Sequence, residues 1–131
     1  KDEVGISLPL KKLKELDLLK LVLPEGMLDY FDVSGMEIKE GQYQIYLAEK
    51  NIHPEQYKNV KLTSKGFFDE VTVQDFPIRG KACYLKIKRR KWLNEETGQN
   101  VSRDWKLVAS GTRMTEEFAL FLKRAFWIQN R

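Results

Sequence analysis

Cationic and apolar side chains alternate in the stretch that ends at Trp92. Residues 81–92 follow the period of two that is typical of a β-strand. Because successive side chains of a strand point to opposite faces, Cys83, Leu85 and Ile87 are predicted to share a core face. The opposite face would carry a row of cations and aromatic side chains: Tyr84, Lys86, Lys88, Arg90 and Trp92.

Positive charge is concentrated around this strand. Residues 79–106 hold nine Lys or Arg and three acids, a balance of +6, in a chain whose total is +4, so the other residues sum to −2. A polyanion-binding surface shows such a concentration. The candidate contacts to nucleic-acid phosphates are Arg79, Lys81, Lys86, Lys88, Arg89, Arg90, Lys91, Arg103 and Lys106, and the candidates for stacking are Trp92 and Tyr84.

The same residues also have ordinary structural interpretations. Lysines on an exposed strand protect its edge against aggregation, and the charge pattern alone does not separate this role from DNA binding. Tryptophans at strand spacing usually pack in the core, which is the interpretation we favour for Trp105. Cys83, on the apolar face, is predicted to be a small buried hydrophobe rather than a nucleophile.

The sequence does not favour an enzyme. One cysteine and one histidine, His53, provide neither a thiolate-rich zinc site nor a paired metal-ligand spacing. No Ser/His/Asp or Cys/His arrangement carries a local catalytic signature. We therefore predict no catalytic residues, no metal and no cofactor. The lone cysteine and the absence of a secretory signal pattern or a bilayer-length apolar run predict a cytoplasmic protein.

The order of elements predicts a single α+β domain over residues 1–131. An antiparallel sheet of about four to five strands lies between an N-terminal and a C-terminal helix. The predicted parts are a loose leader over 1–7, a helix over 9–22, a β-rich body over 28–109 and a helix over 115–129.

Turn residues and alternation place the elements of the body. We expect a turn around Ser34-Gly35, strands over 42–47 and 67–76, turns at 77–80 and 94–98, and a return strand over 101–108. The loop 51–62 contains His53. Thr115 is the predicted N-cap of the last helix, whose apolar positions are Phe118, Phe121, Leu122, Ala125 and Ile128.

Several of these runs carry a family resemblance. Residues 71–81 and 84–92 resemble the N-terminal region of a family of bacterial insertion-sequence transposases of the DDE type, whose pattern is Asp-Leu/Phe-Pro, two residues, Gly, a strand and an arginine doublet. Residues 23–26, 45–50, 64–68 and 111–115 resemble one branch that lacks the zinc-binding cysteines. The likeness covers roughly residues 21–122. Trp92 stands about where wider relatives have a cysteine.

The resemblance implies a DNA-binding domain that recognises the terminal repeats of a mobile element in transposition, a form of DNA recombination. Such a domain is non-catalytic by itself and acts with a separate or downstream catalytic region that has three carboxylates. The implied partners are double-stranded DNA and that catalytic region or subunit, without a membrane, and a homo-oligomer stays open. Reversal of Lys88, Arg89 and Arg90 to Glu is expected to abolish DNA binding and leave the fold intact.

The alternative is a protein-interaction module without direct DNA binding. It would dock an acidic partner, or the catalytic transposase subunit, through the basic surface or the C-terminal helix. Phe126, Trp127 and Ile128 are predicted to leave an apolar patch near the end of that helix.

Overall fold

A computed structural model describes residues 18–110 and 115–127 of the chain. It has the predicted α+β class, with helices before and after a β-rich body. The predicted leader, residues 9–17 of the predicted first helix and residues 128–129 of the predicted last helix, Ile128 included, lie outside the described residues. Residues 18–22, which we call α1, are helical as expected, and Pro24 follows them.

Seven strands form two sheets rather than one. The larger sheet has the order β1-β2-β5-β4, and the smaller has the order β3-β6-β7. All neighbours are antiparallel except β2 and β5, which run parallel. The strands are β1 (Phe31–Lys39), β2 (Gln42–Glu49), β3 (Leu62–Phe67), β4 (Val71–Ile78), β5 (Lys81–Lys88), β6 (Arg90–Asn94) and β7 (Asn100–Val101).

Short helices complete the fold. Between β2 and β3 the predicted loop contains one 3-10 turn. A π-helical segment extends the last α-helix. The helices after α1 are α2 (Met27–Tyr30), the 3-10 turn (Glu55–Tyr57), α3 (Trp105–Ala109), α4 (Glu116–Leu122) and the π-helix (Lys123–Trp127).

One face of the larger sheet packs against the helices to form the core. The predicted inward positions of β5, namely Cys83, Leu85 and Ile87, are all buried, and so are Ile45 and Leu47 on β2. Tyr43, the third predicted residue on that face of β2, is half-buried and packs against the core. The C-terminal helical residues cover this face with four aromatic or leucine side chains: Phe118, Phe121, Leu122 and Phe126.

The first hairpin turns later than predicted. Ser34 is an extra residue inside β1, because Val33 pairs with Leu47 while Gly35 pairs with Tyr46. Ser34 and Gly35, which predicted a turn, therefore form a β-bulge. The chain reverses at Glu40 and Gly41, which both have positive φ, as a two-residue type I′ hairpin turn requires.

The predicted strand over 81–92 is divided at Arg89. β5 ends at Lys88 in the larger sheet, and β6 begins at Arg90 in the smaller sheet. The carbonyl of Arg89 accepts a hydrogen bond from the amide of Phe68 at 2.9 Å. Because Arg89 belongs to neither strand, the alternation of inward and outward side chains shifts by one residue after it. Trp92 therefore lies inside the protein rather than on the exposed face. The predicted strand over 67–76 is likewise divided between β3 and β4.

The predicted return strand over 101–108 is wrong after its first residue. The reversal at 94–98 forms as expected, with Gly98 at positive φ and its amide bonded to the carbonyl of Asn94. β7 then ends at Val101, because the carboxylate of Asp104 caps a helix by accepting from the amides of Lys106 and Leu107. Trp105 is buried, in agreement with the favoured interpretation, but it lies on α3.

The predicted N-cap at Thr115 is confirmed. Its hydroxyl accepts from the amide of Phe118 at 3.2 Å and donates to the carbonyl of Glu25, also at 3.2 Å. Glu116 and Glu117 occupy the first turn, where the helix dipole favours acids. This cap fixes the C-terminal helix beside the start of α2.

A buried ion pair joins the end of β2 to the segment before α3. The Oε2 atom of Glu49 lies 2.8 Å from the Nε atom of Arg103, and both side chains are at most 5% exposed. The other carboxylate oxygen of Glu49 accepts the amide of Arg90 at 2.8 Å. Burial raises the pKa of Glu49, and the Arg103 guanidinium and the Arg90 amide oppose that shift.

Loss of Arg103 should destabilise the fold strongly. Arg103→Leu leaves the Glu49 carboxylate buried without its cation, and we expect a loss of about 3–5 kcal/mol in the free energy of unfolding, measured by urea denaturation. Arg124→Leu is the comparison variant: Arg124 is 49% exposed and lies 3.8 Å from Asp75, whose side chain is 7% exposed, so its loss should cost less, about 1 kcal/mol. Equal costs for the two variants would contradict a structural role for the buried pair.

Asp75 should give the protein a distinct pH dependence. Burial raises the pKa of Asp75, and nearby Glu117 adds to this, while the Phe76 amide and Arg124 oppose it. Because the folded state holds this proton more tightly, the free energy of unfolding should fall as pH rises from the unfolded pKa of ~3.9 through the higher folded value. Asp75→Asn should flatten that decline in urea titrations across mildly acidic pH. Parallel curves for the variant and the wild type would contradict it.

Candidate nucleic-acid interface

The exposed face of the larger sheet carries two of the predicted cations. Lys86 and Lys88 alternate with the buried residues of β5 and so lie on the opposite face, where strand geometry separates them by about 6–7 Å. Lys88 is exposed and Lys86 is half-buried. Tyr84 lies on the same face and is half-buried beside Gln44 of β2 and Gln74 of β4.

This face also carries acids. The hydroxyl of Tyr46, the β2 neighbour of Lys86, donates to the carboxylate of Glu37 at 2.8 Å. That hydrogen bond raises the pKa of Tyr46, and the charges of Glu37 and Glu70 add to the shift. The basic surface is therefore confined to the β5 side of the face.

Arg79 and Lys81 lie at the turn that connects β4 and β5. Both are exposed. Arg79 has φ 53 and Gly80 has φ 80, so the reversal is a two-residue turn and Arg79 occupies the left-handed region. Pro77 and Ile78, predicted to lie in the turn, belong to β4, where an edge position tolerates proline. The turn projects two cations at one end of the basic strand.

Two of the predicted DNA contacts are used inside the protein. Arg103 is 5% exposed, pairs with Glu49 and also donates to the carbonyl of Ile52. The guanidinium of Arg90 donates to the carbonyl of Glu49 at 3.1 Å and to the hydroxyl of Ser64 at 2.6 Å. Both arginines hold the two sheets together, so neither guanidinium is available as a phosphate contact.

Three further cations pack on aromatic rings where the smaller sheet meets the C-terminal helix. The Arg89 guanidinium lies 5.4 Å from the ring centres of both Phe68 and Phe126. Lys91 lies over Phe68 at 5.3 Å, and Lys106 lies over Trp127 at 5.6 Å. Arg89, Lys91 and Lys106, with these rings and Trp105, form what we call the basic–aromatic cluster. The sequence could not show that cations 17 residues apart share one surface.

Trp92 is not a stacking platform. It is 2% exposed, and its indole N–H donates to the Asn51 side chain at 3.0 Å. The Arg103 guanidinium lies 5.6 Å from its ring. Tyr84 stays exposed enough to make a contact, while Trp127, predicted to belong to an apolar patch, lines a cavity in the basic–aromatic cluster. No sequence signal marked that cavity.

The predicted apolar patch at the end of the last helix is also corrected. Phe126 is 2% exposed and packs against Trp105, with ring centres 5.3 Å apart. Exposed apolar side chains occur elsewhere, among them Leu18, Leu21 and Met36, which line a groove between α1 and the edge strand β1. Ile38 on β1 and Phe76 on β4 are also exposed, and all five are at least 60% exposed.

Comparisons with protein-family models, with curated proteins and with solved structures give no match to this chain. Within residues 18–110 and 115–127, no helix has the length and apolar character needed to span a bilayer. The same residues contain no group of three or more His, Cys, Asp or Glu side chains placed to hold a metal ion. His53 lies in the loop after β2, where its Nε2 is 2.6 Å from the carbonyl oxygen of Tyr57.

Reversal of Lys88, Arg89 and Arg90 to Glu would disturb the fold, contrary to expectation, because only Lys88 is exposed. Arg90→Glu places a carboxylate beside Glu49 and removes two hydrogen bonds, so we expect it to lower the free energy of unfolding by about 2 kcal/mol or more. Lys88→Glu should change it by less than about 0.5 kcal/mol. Urea denaturation of the two variants measures the difference, and a neutral effect of Arg90→Glu would overturn the structural assignment of Arg90.

Proposed function

We propose that this chain is a DNA-binding domain of an insertion-sequence transposase, non-catalytic by itself, that recognises the ends of the element. Two lines support it: the family resemblance of residues 71–92 and the placement of charge in the fold. In this proposal the domain positions DNA for a separate or downstream region that carries the catalytic carboxylates.

One observation carries the proposal. Of the nine predicted cations, only Arg103 forms an ion pair with another described residue. Arg90 is used in internal hydrogen bonds. The other seven make no ion pair within the described part of the chain, and they are Arg79, Lys81, Lys86, Lys88, Arg89, Lys91 and Lys106. Structural use of the two internal arginines therefore leaves most of the local positive charge free for an external anion.

Five of these seven cations occur one after another along the turn before β5, β5 itself and the residue that follows it. Arg79 and Lys81 lie at the turn, Lys86 and Lys88 lie along β5, and Arg89 begins the basic–aromatic cluster. Eight residues of strand span about 26 Å, which is a length over which a duplex presents several phosphates on each strand. Contacts of this kind fix register and orientation on the duplex, and side chains that reach base edges add sequence recognition.

Salt dependence of DNA binding tests the proposal. Fluorescence anisotropy with a labelled duplex carrying the terminal repeat of the element, against a scrambled duplex, should show tighter binding to the repeat that weakens steeply with salt. Replacing Lys81, Lys86 and Lys88 by Gln should weaken both complexes. It should also lower the slope of log affinity against log salt by up to about 0.9 for each phosphate that the variant no longer neutralises.

Three exposed lysines away from the basic strand give a control of equal charge. Replacing Lys20, Lys58 and Lys61 by Gln removes the same net charge from other surfaces. If the lysines act only through long-range charge, the two triple variants should bind DNA equally weakly. If Lys81, Lys86 and Lys88 contact phosphates directly, only the first variant should bind more weakly. Absence of binding to either duplex at low salt would overturn the proposed function and favour the alternative, a module that docks an acidic protein through the same cations.

A further inference from the structure

A phenyl ring projects into solvent at one end of the exposed face of the larger sheet. Phe76, near the end of the edge strand β4, is 76% exposed. Val73 is buried and the Asp75 side chain is 7% exposed, so both belong to the core face, and alternation places Phe76 on the opposite face. The ring makes no stacking or cation–π contact with another described residue. Packing within the described part of the chain therefore does not account for a phenylalanine at this position.

A second β-bulge keeps this ring outside the core. The pairing of β4 with β5 shifts by one residue between Asp75 and Ile78. Phe76 and Pro77 therefore lie opposite the single residue Ala82. The extra residue returns Ile78 to the core face, where it packs against the core, while Phe76 stays exposed. Because a bulge and a proline on an edge strand oppose the addition of another strand, the ring is not placed for a partner that extends the sheet.

Tyr84 is the neighbouring aromatic side chain on the same face. It pairs with Gln74, two residues before Phe76, so the two aromatic residues are diagonal neighbours on adjacent strands. Strand geometry separates such neighbours by about 7–8 Å. Tyr84 is half-buried and Phe76 is exposed, so both rings are accessible from this face. Aromatic side chains in this arrangement provide flat surfaces on which the bases of a single strand stack.

The charge beside the ring is positive. Arg79 and Lys81 are exposed at the turn after β4, and neither forms an ion pair with another described residue. The carboxylate of Asp75 lies on the core face, 3.8 Å from Arg124. Glu37, the acid that bonds Tyr46, belongs to β1, three strands and about 14 Å from β4. A ring beside unpaired cations complements a nucleotide, which joins a flat base to an anionic phosphate.

From these observations we infer that Phe76 is a stacking site for an unpaired base of DNA, and that Arg79 and Lys81 bind phosphates of the same strand. A base inside a duplex has both faces covered by its neighbours, so only an unpaired or terminal base presents a free face to the ring. This inference deepens the proposed function and rests on it: β5 binds the duplex, and Phe76 binds the unpaired nucleotides beside it. The ligand of the domain is then DNA in which a duplex adjoins a single strand.

Duplexes that differ only at one end test the inference. Fluorescence anisotropy compares the labelled terminal-repeat duplex in blunt form with the same duplex carrying a short run of thymidines on its 3′ or its 5′ end. One of the extended duplexes should bind about fivefold or more tightly than the blunt duplex, the gain expected for one base stacked on an aromatic side chain. The preferred end identifies the direction of the single strand along the sheet. Single-stranded oligothymidylate is the second probe.

Substitutions at Phe76 connect the gain in affinity to the ring. Phe76→Ala should reduce the affinity for the extended duplex to that for the blunt one. Phe76→Tyr keeps an aromatic ring and should keep the gain, whereas Phe76→Leu keeps apolar volume without a π face and should lose most of it. Leu120→Ala is the matched control, because Leu120 is also an exposed apolar residue, 57% exposed, but lies on α4. Urea denaturation confirms that the variants are folded, as the exposure of both positions predicts.

The outcomes separate this inference from the proposed function. Equal affinity for blunt and extended duplexes, or a gain that Phe76→Ala leaves intact, would overturn the stacking site even if the blunt duplex still binds through β5. A dimer in sedimentation equilibrium that Phe76→Ala abolishes and DNA does not dissociate would assign the ring to a second copy and would also overturn it. Binding of oligothymidylate that Phe76→Ala abolishes, without binding of either duplex, would support the stacking site and overturn the proposed function.

Discussion

The carboxylate of Glu49 is the interaction on which the rest of the structure depends. It is fully buried at the end of β2, and it receives the amide of Arg90 and the guanidinium of Arg103. A charge at such a depth is tolerated only when it is paired and hydrogen-bonded. This requirement places the start of β6 and the approach to α3 against the larger sheet, and it thereby determines where the two sheets meet.

Sequence patterns predicted the local elements well and their assembly poorly. The alternation of β5, the reversal at 94–98 and the cap at Thr115 depend on neighbouring residues, so they are predictable from the chain. The division at Arg89 could not be predicted, because the alternation of side chains does not show that one residue lies outside the strand ladders until the pairing strands are known. The apolar spacing of Trp105 fits a strand or a helix, and the capping carboxylate of Asp104 decides for a helix.

The candidate site was harder to predict from the sequence than the local elements were. Nine cations in 28 residues predicted a basic region, and that concentration remains on the folded surface in part. Charge counting could not distinguish Lys88, which is exposed, from Arg90 and Arg103, which are internal, because the distinction depends on Glu49, more than 40 residues away. The basic–aromatic cluster depends on contacts between β6, α3 and the π-helix, none of which are close in sequence.

The parallel pairing of β2 with β5 also constrains how the protein folds. β5 lies between β2 and β4 in the sheet, yet nearly 40 residues of chain separate the paired positions of β2 and β5. The chain must lose the entropy of closing this long loop before β2 and β5 make stabilising contacts. Folding should therefore be slow for a domain of this size. During synthesis, the first hairpin therefore leaves the ribosome with an open edge on β2. That edge is covered only after β5 has emerged. The strand that completes the sheet is therefore also the strand that carries the cations.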